Sequence, residues 1–221
     1  ANAGGGIATA GQGENLTDDV GYTRIRDNDR VSVTARAKSS ASLLESERGV
    51  IVDPEAAGDP TGRVGDDRAY RTLSPSTRSY MLNATVAHQL SETANLSWNG
   101  RADYKTSKAL NGLPTGSLTE GDETVDRILS LDPLHQDTRA LTLSSGVSLN
   151  IDLSKTWRLS VIGSYSHSDS RTDSDRGYDL DDVQAALDAG AVAADGVLPA
   201  SLLGAMGTQT ARALQDTGSA S

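Results

Sequence analysis

The chain has 221 residues, and its composition limits the kinds of protein that it can be. It contains no Phe, no Cys and only 4% aromatic residues, so it is poorly supplied for a soluble core of this size and forms neither a disulfide framework nor a thiolate metal site. A formal net charge of −10 and a pI of about 4.7 argue against a nucleic-acid-binding protein, which needs a basic patch.

The N-terminal part of the chain predicts one faint β-hairpin. Residues 1–15 are rich in Gly and give no firm assignment. A weak strand, a turn at Asp27-Asn28-Asp29 and a clearly alternating strand then form a hairpin over about residues 18–38. A long connection rich in Asp, Gly and Pro follows, over about residues 39–76.

Two stronger hairpins are predicted at about residues 78–106 and 138–168. Each consists of two amphipathic strands of about membrane-spanning length joined by a short polar turn. In the first, Tyr80, Leu82 and Val86 alternate with Asn83 and Thr85. Alternation with one polar face predicts strands whose polar side meets water. A second long connection, over about residues 107–137, separates the two hairpins.

The third long connection, residues 169–221, carries one helical pattern. Asp179 or Asp181 is a candidate cap, and Gly190 is a plausible stop. The apolar residues recur at helical spacing: Leu180, Val183, Ala186 and Leu187. We expect a short helix that packs on neighbouring loops and carries no chemistry.

The order of turns and loops predicts the architecture. Every tight turn falls at one end of the strands and every long loop at the other, as in outer-membrane barrels with short periplasmic turns and long extracellular loops. No stretch approaches the ~20 apolar residues of a transmembrane helix, and no signal peptide is recognised. The expected fold is therefore all-β: an antiparallel transmembrane β-barrel segment of about six strands.

Two sets of side chains are predicted to have a place in such a barrel. Aromatic residues are expected at the membrane interfaces, with Trp98 and Trp157 near the short turns and Tyr80, Tyr104 and Tyr165 near the long loops. At a tilt near 40°, the strand from Trp157 to Tyr165 spans roughly 20 Å of an apolar band about 25 Å tall. Charged residues of the polar face are expected to line the lumen, or to be ordinary solvated residues: Arg36, Lys38, Arg101, Asp103, Lys105 and Arg158.

No pattern predicts catalysis, a cofactor or a metal site. The N-terminal glycines lack the Lys of a phosphate loop, because Gln12 stands in its place. The histidines His88, His135 and His167 are far apart and do not have metal-ligand spacing. The acidic run of residues 169–182 is interrupted by arginines, so a solvated loop is favoured over a calcium site. An enzyme is the least supported class of protein.

Several loop segments resemble a known family. Their order around the hairpins is similar to that of outer loops in TonB-dependent receptors of the outer membrane. The segments are residues 43–49, 70–75, 109–114, 170–177 and 198–204. The resemblance implies a 22-stranded barrel with a plug in its lumen, which imports a scarce solute with energy from the inner membrane.

The chain departs from that family pattern, and the departure defines our expectation. About six candidate strands are far fewer than 22, and no plug or TonB-contacting segment is recognisable. We therefore expect one fragment of a receptor in the bacterial outer membrane, cut in an exposed loop near Ser221. Its expected partners are the remaining strands and plug, outer-membrane lipid and lipopolysaccharide, the TonB system through the plug, and an unidentified solute. The alternative is a secreted or small-barrel structural or adhesive β-protein.

Overall fold

The protein is described by a computed structural model that covers residues 2–7, 14–49, 67–194 and 198–221. These residues form an all-β, antiparallel structure with a few short helices. The strands are β1 (Asn2–Ile7), β2 (Glu14–Arg26), β3 (Asp29–Ser40), β4 (Leu43–Leu44), β5 (Thr72–Ser74), β6 (Ser76–Ser91), β7 (Ala94–Leu110), β8 (Thr115–Glu120), β9 (Glu123–Ile128), β10 (His135–Asp152), β11 (Arg158–Gly177) and β12 (Gly207–Ala220).

Eight of these strands form one sheet in the order β1-β2-β3-β6-β7-β10-β11-β12. Each strand of the order pairs antiparallel with its neighbours. Asp27 and Asn28 form the turn between β2 and β3, and Asp27 takes the left-handed backbone conformation that such turns favour, with φ 44°. Glu92 and Thr93 connect β6 to β7. The predicted hairpins lie within the pairs β2–β3, β6–β7 and β10–β11, all of which extend further at their open ends.

The predicted loop helix is present as α1 (Asp181–Asp188), and a second short helix, α2 (Ala200–Leu203), precedes β12. The Asp179 carboxylate accepts a hydrogen bond from the Asp181 amide at 3.1 Å, and Gly190 follows the helix with φ 69°. Two 3₁₀ turns, Glu45–Arg48 and Arg68–Tyr70, lie in the first connection. None of the described helices has the length and apolarity needed to cross a membrane.

The structure corrects the extent of the long connections. The second, residues 107–137, contains the two-stranded sheet β8–β9. The third, residues 169–221, contains the end of β11 and all of β12, so the expectation that the chain ends in a long loop near Ser221 is wrong. The Ser221 amide donates to the Ile162 carbonyl at 2.9 Å. With β1 added at the other end, the main sheet has eight strands among the described residues, rather than about six.

The register of the sheet separates an apolar face from a polar face. Cross-strand partners share a face, and successive residues alternate between faces. Tyr80 faces Tyr104, and Tyr104 faces Leu141. We call the apolar rows the apolar band: Val20, Tyr22, Val31, Val33, Ala35, Ala37, Tyr80, Leu82, Ala84, Val86, Leu96, Trp98, Ala102, Tyr104, Leu141, Leu143, Val147, Leu149, Ile151, Leu159, Val161 and Tyr165.

Burial in this molecule is concentrated outside the main sheet. Every buried apolar side chain of the described residues lies in the connections between strands of the main sheet: Leu113, Pro114, Leu118, Val125, Val183, Leu187, Ala194 and Leu203. In the apolar band Tyr22 is 59% exposed and Leu82 48% exposed. The described chain thus has a packed core in its loops and an uncovered apolar face on its sheet.

Candidate functional site: the polar face and the loop cap

The polar face brings together four of the charged residues predicted from the sequence. Strand β6 lies between β3 and β7 and joins them into common rows. Arg36 and Asp103 are both cross-strand partners of Met81, and Lys38 and Lys105 are both cross-strand partners of Ser79. Residues two strands apart in one row are roughly 9–10 Å apart at their Cα atoms, so these four form one charged patch.

Ion pairs neutralise part of this face and leave the lysines unpaired. Arg36 pairs with Asp19 on β2, and the Arg101 guanidinium donates to the Asp103 carboxylate, with Nη2 to Oδ1 at 2.9 Å. Within the described residues, no ion pair or side-chain hydrogen bond holds Lys38 or Lys105. The patch therefore presents two ammonium groups that are available to an anionic solute or to another part of the protein.

Hydroxyl and amide side chains occupy much of the rest of the polar face. Ser97 and Ser148 hydroxyls lie 2.7 Å apart, and Ser160 donates to the Asn150 side chain at 2.6 Å. Such cross-strand pairs hold neighbouring strands in register and keep this face hydrophilic. Arg158 stands apart from the charged patch, at the end of the sheet that carries the short turns, where it pairs with Asp152 at 2.6 Å.

At the opposite end of the sheet, two connections pack into a unit that we call the loop cap. It consists of the hairpin β8–β9 and of the described residues from the start of α1 to the end of α2. Its core is formed by six side chains: Leu118, Val125, Val183, Leu187, Ala194 and Leu203. Leu118 and Val183 have no exposed surface, so the hairpin β8–β9 and the helix α1 form a common apolar interior.

Polar contacts at the surface of the loop cap join its two connections. The Gln184 side chain accepts from the Thr119 amide at 3.1 Å and donates to the Thr119 carbonyl at 2.7 Å. Around Ala194, the Glu120 carboxylate accepts from the amide at 3.0 Å and Arg127 donates to the carbonyl at 2.9 Å. The loop cap is therefore fixed by paired backbone groups as well as by its core.

The first connection is attached to the second through Gly112. Arg71 and Asn111 form an isolated antiparallel bridge, and the Gly112 amide donates to the Tyr70 carbonyl at 2.9 Å. Gly112 has φ 87°, and a Cβ there would lie 2.7 Å from the Asp67 carboxylate. Only glycine fits this position without strain.

The acidic run of β11 and α1 is divided between two places. Asp169 and Asp173 lie on β11 and pair with arginines, whereas Asp181 and Asp182 begin α1. At the loop end of β11, the Arg171 guanidinium and then the Thr210 hydroxyl hold the pKa of Asp173 below its ordinary value. Among the residues that the structure describes, no group of three or more His, Cys, Asp or Glu side chains could hold a metal ion.

The aromatic residues occupy different depths on the apolar face. Tyr80 and Tyr104 face each other across β6 and β7, at the loop side of the band. Trp98 lies nearer the turns, and its Nε1 donates to the Ser145 hydroxyl at 2.9 Å. Trp157 precedes β11 and is 73% exposed. Tyr165 lies two rows nearer the turns than Tyr80 and Tyr104, and β11 continues beyond it to Gly177, so it is farther from the loops than the sequence predicted.

Two functional partners were not found by sequence analysis, because both lie on strands that alternation defines weakly. Asp19, the partner of Arg36, lies in the weak first strand of the hairpin predicted over about residues 18–38. Asp216 lies on β12, where it accepts hydrogen bonds from the Tyr165 hydroxyl at 2.7 Å and from His167 at 2.8 Å. Asp18 is the cross-strand partner of Ala37 on the apolar face and Asp19 that of Arg36 on the polar face, so two acidic residues in succession give no alternation that marks Asp19.

Comparisons with known proteins do not assign a family. No family model, no curated protein and no solved structure matches the chain.

Proposed function

We propose that this chain is part of the barrel wall and outer loops of a TonB-dependent receptor, which takes up a scarce solute across the bacterial outer membrane. The eight-stranded sheet is a segment of a larger transmembrane barrel, with its apolar band toward lipid and its polar face toward the lumen. The role is transport without catalysis. The resemblance of the loop segments to those of such receptors supports this proposal.

The observation that carries the proposal is the exposed apolar band. A soluble protein rarely exposes a contiguous apolar surface over several strands, and a lipid-facing wall exposes one by necessity. The polar face is consistent with a wet lumen, and its hydroxyl pairs need no apolar cover. The loops at one end and short turns at the other agree with an outward-facing loop side.

In this proposal the polar face and the loop cap act on the solute. Lys38 and Lys105 face the lumen and contact either an anionic solute or the plug. The loop cap gives the long connections a fixed shape, so the receptor presents an ordered entrance. The strands β1 and β12 form the ends of the described sheet order, and the remaining barrel strands would pair with them.

The proposal is tested by locating Trp98 in the membrane. The protein is purified from washed envelope membranes in detergent, with any polypeptide that accompanies it, and returned to vesicles of phosphatidylcholine. In a Trp157→Tyr variant, lipids brominated on their acyl chains should quench Trp98, and a water-soluble quencher should not. In a Trp98→Tyr variant, Trp157 in the turn should show the reverse preference.

Composition of the purified material tests the receptor assignment separately. A co-purifying polypeptide large enough to supply a plug and further strands would support a receptor. A single 23.0 kDa species that stays folded in detergent would favour a small closed barrel instead. Recovery in the soluble fraction, with Trp98 open to the aqueous quencher, would overturn the membrane assignment and favour a secreted β-protein.

A further inference from the structure

A row of arginines crosses the sheet next to the apolar band. Arg78 on β6 faces Thr106 on β7, which in turn faces Arg139 on β10. Arg139 faces Arg171, and Arg171 faces Arg212 on β12. These residues share the face of the apolar band, one row closer to the loops than Tyr80 and Tyr104. We call this set the arginine row.

Like charges in directly opposed positions destabilise a sheet, so the row requires compensating anions. Two of its members have them within the chain: Arg171 donates to Asp173 at 2.9 Å, and Arg212 donates to Asp169 at 2.7 Å. Within the described residues, Arg78 and Arg139 form no ion pair and no side-chain hydrogen bond. Arg139 is compensated only at a distance, by the charge of the Asp173 carboxylate. In the described part of the chain, Arg78 and Arg139 therefore have no anionic group in direct contact.

The two unpaired arginines are placed to bind one anion together. They flank Thr106, and their Cα atoms are roughly 9–10 Å apart, two strand spacings. Side chains of this length can converge over the intervening strand, with the Thr106 hydroxyl between them as a further donor. The planar guanidinium fork matches the oxygens of a phosphate group.

On the turn side of Arg78 and Arg139, the apolar band contains a groove of about 390 Å³. It is lined by the small side chains of Ala35, Ala37 and Ala102, by larger apolar side chains and, on β2, by Asp18. Tyr80 and Tyr104 both line it, and on the same face they lie two residues along their strands from Arg78 and Thr106, respectively. An uncovered apolar groove thus lies beside unpaired cations on the same face.

We infer that Arg78, Arg139 and Thr106 bind the anionic phosphate headgroup of a membrane lipid whose acyl chain occupies the adjoining groove. The inference rests on the proposed function, because it requires the apolar band to face lipid. Charge complementarity selects the phosphate, and the groove selects a ligand with a hydrocarbon chain. A soluble anion would use the arginines without the groove.

The test is a titration of the detergent-extracted protein, with any accompanying polypeptide, using phosphatidic acid as the probe. Binding is followed by native mass spectrometry. Arg78→Gln together with Arg139→Gln should weaken binding about tenfold or more, since two charge-assisted contacts are lost. Lys38→Gln together with Lys105→Gln is the matched control, with two unpaired cations removed from the opposite face, and should bind as the unaltered protein does.

Two further variants separate the headgroup from the chain. Arg78→Lys with Arg139→Lys keeps the charge without the fork and should lose only part of the affinity. Ala37→Leu should fill the groove and weaken phosphatidic acid binding while both arginines remain. Circular dichroism and Trp98 emission confirm that each variant is folded.

The outcomes distinguish the two proposals. Equal binding by the arginine and lysine variants, with Trp98 still quenched by brominated lipid, would overturn the lipid site alone. Inorganic phosphate competing as well as phosphatidic acid would show a soluble-anion site and would also overturn it. Recovery of the protein in the soluble fraction would overturn the site together with the membrane assignment.

Discussion

The main sheet and the loop cap bury their apolar side chains in opposite ways. In the loop cap, Leu118 and Val183 have no exposed surface, as in the core of a soluble domain. In the sheet, Trp98 is 40% exposed and Leu82 is 48% exposed, and neither lies in a core. The same chain therefore contains a region that folds by hiding apolar groups from water and a region whose apolar groups need another environment.

This difference indicates where each region obtains its stability. Apolar area removed from water contributes about 25 cal/mol per Å², and in the described chain the loop cap has nearly all of the complete burial. The sheet depends on its backbone ladder and cross-strand pairs, and on whatever medium covers the apolar band. Substitutions in the two regions should therefore respond differently to water and to lipid.

The largest expected effect is in the core of the loop cap. Leu118→Ala removes a fully buried side chain that packs with Val125 and Val183, and should cost about 2–5 kcal/mol. The measurement is local hydrogen exchange by mass spectrometry. Amides of β8, β9 and α1 should lose protection, and those of β6 and β7 should keep it.

A matched truncation in the sheet is Leu159→Ala, at a side chain that is 44% exposed. It should change stability far less than Leu118→Ala, because no cavity forms at a partly exposed site. Equal losses for the two variants would contradict the division between a packed loop cap and an uncovered sheet face.

The second prediction concerns a charge placed in the apolar band. Leu82→Arg should cost about 2–4 kcal/mol if the band faces the middle of a bilayer, whereas an exposed position in water would change by about 0.5 kcal/mol or less. Its cross-strand partners are Ala35 and Ala102, which offer no carboxylate. Denaturant unfolding in vesicles measures the difference.

Thr85→Arg is the control for that experiment, because it places the same charge on the polar face of the same strand. It should leave stability nearly unchanged. If Leu82→Arg were equally harmless in vesicles, the apolar band would not face lipid. A different medium or a partner protein would then have to cover this face of the sheet.

The parts of the fold that sequence predicted are those with strong local alternation. The hairpins at β6–β7 and β10–β11 alternate Leu, Val and Tyr with polar residues, and that pattern is enough to identify strands. Strand β12 has Arg212, Asp216 and Gly218 at the positions of its apolar face, so it has no such signal and depends on pairing with β11. Strand formation there is set by a distant partner rather than by local sequence.

The candidate site was predicted in the same partial way. The alternation assigns Lys38 and Lys105 to the polar face. Their proximity depends on the register of β3 and β7 against β6, which aligns both with Ser79. A slip of one residue would move a whole strand to the other face, and no short motif shows which register is adopted. Faces are therefore predictable from sequence here, and neighbours across strands are not.

The third prediction tests whether the first connection is part of the same ordered loop region. Gly112→Ala should cost about 1–2 kcal/mol, because the left-handed conformation at φ 87° is unfavourable for any residue with a Cβ. Exchange should rise at the amide of residue 112, which donates to the Tyr70 carbonyl, and at the Leu134 amide, which donates to the carbonyl of residue 112. Gly121→Ala is the control, because Gly121 also has a left-handed backbone, with φ 64°, but has open space around it. It measures the cost of the backbone conformation without the close contact to the Asp67 carboxylate.

The smallest expected effect is a dependence on pH at the loop end of β11. Because Arg171 and Thr210 lower the pKa of Asp173 in the folded protein, the folded state binds fewer protons at this carboxylate than the unfolded chain. The stabilisation is therefore present above the unfolded pKa, about 3.9, and is lost as the pH falls through the lower folded value. Protection of the β11–β12 amides, corrected for the intrinsic exchange rate at each pH, should fall below about pH 4. This fall should be smaller in Arg171→Gln. An equal loss of protection in Arg171→Gln would show that the pH-sensitive group lies elsewhere. The ion pair between Arg171 and Asp173 would then not stabilise the loop end of the sheet.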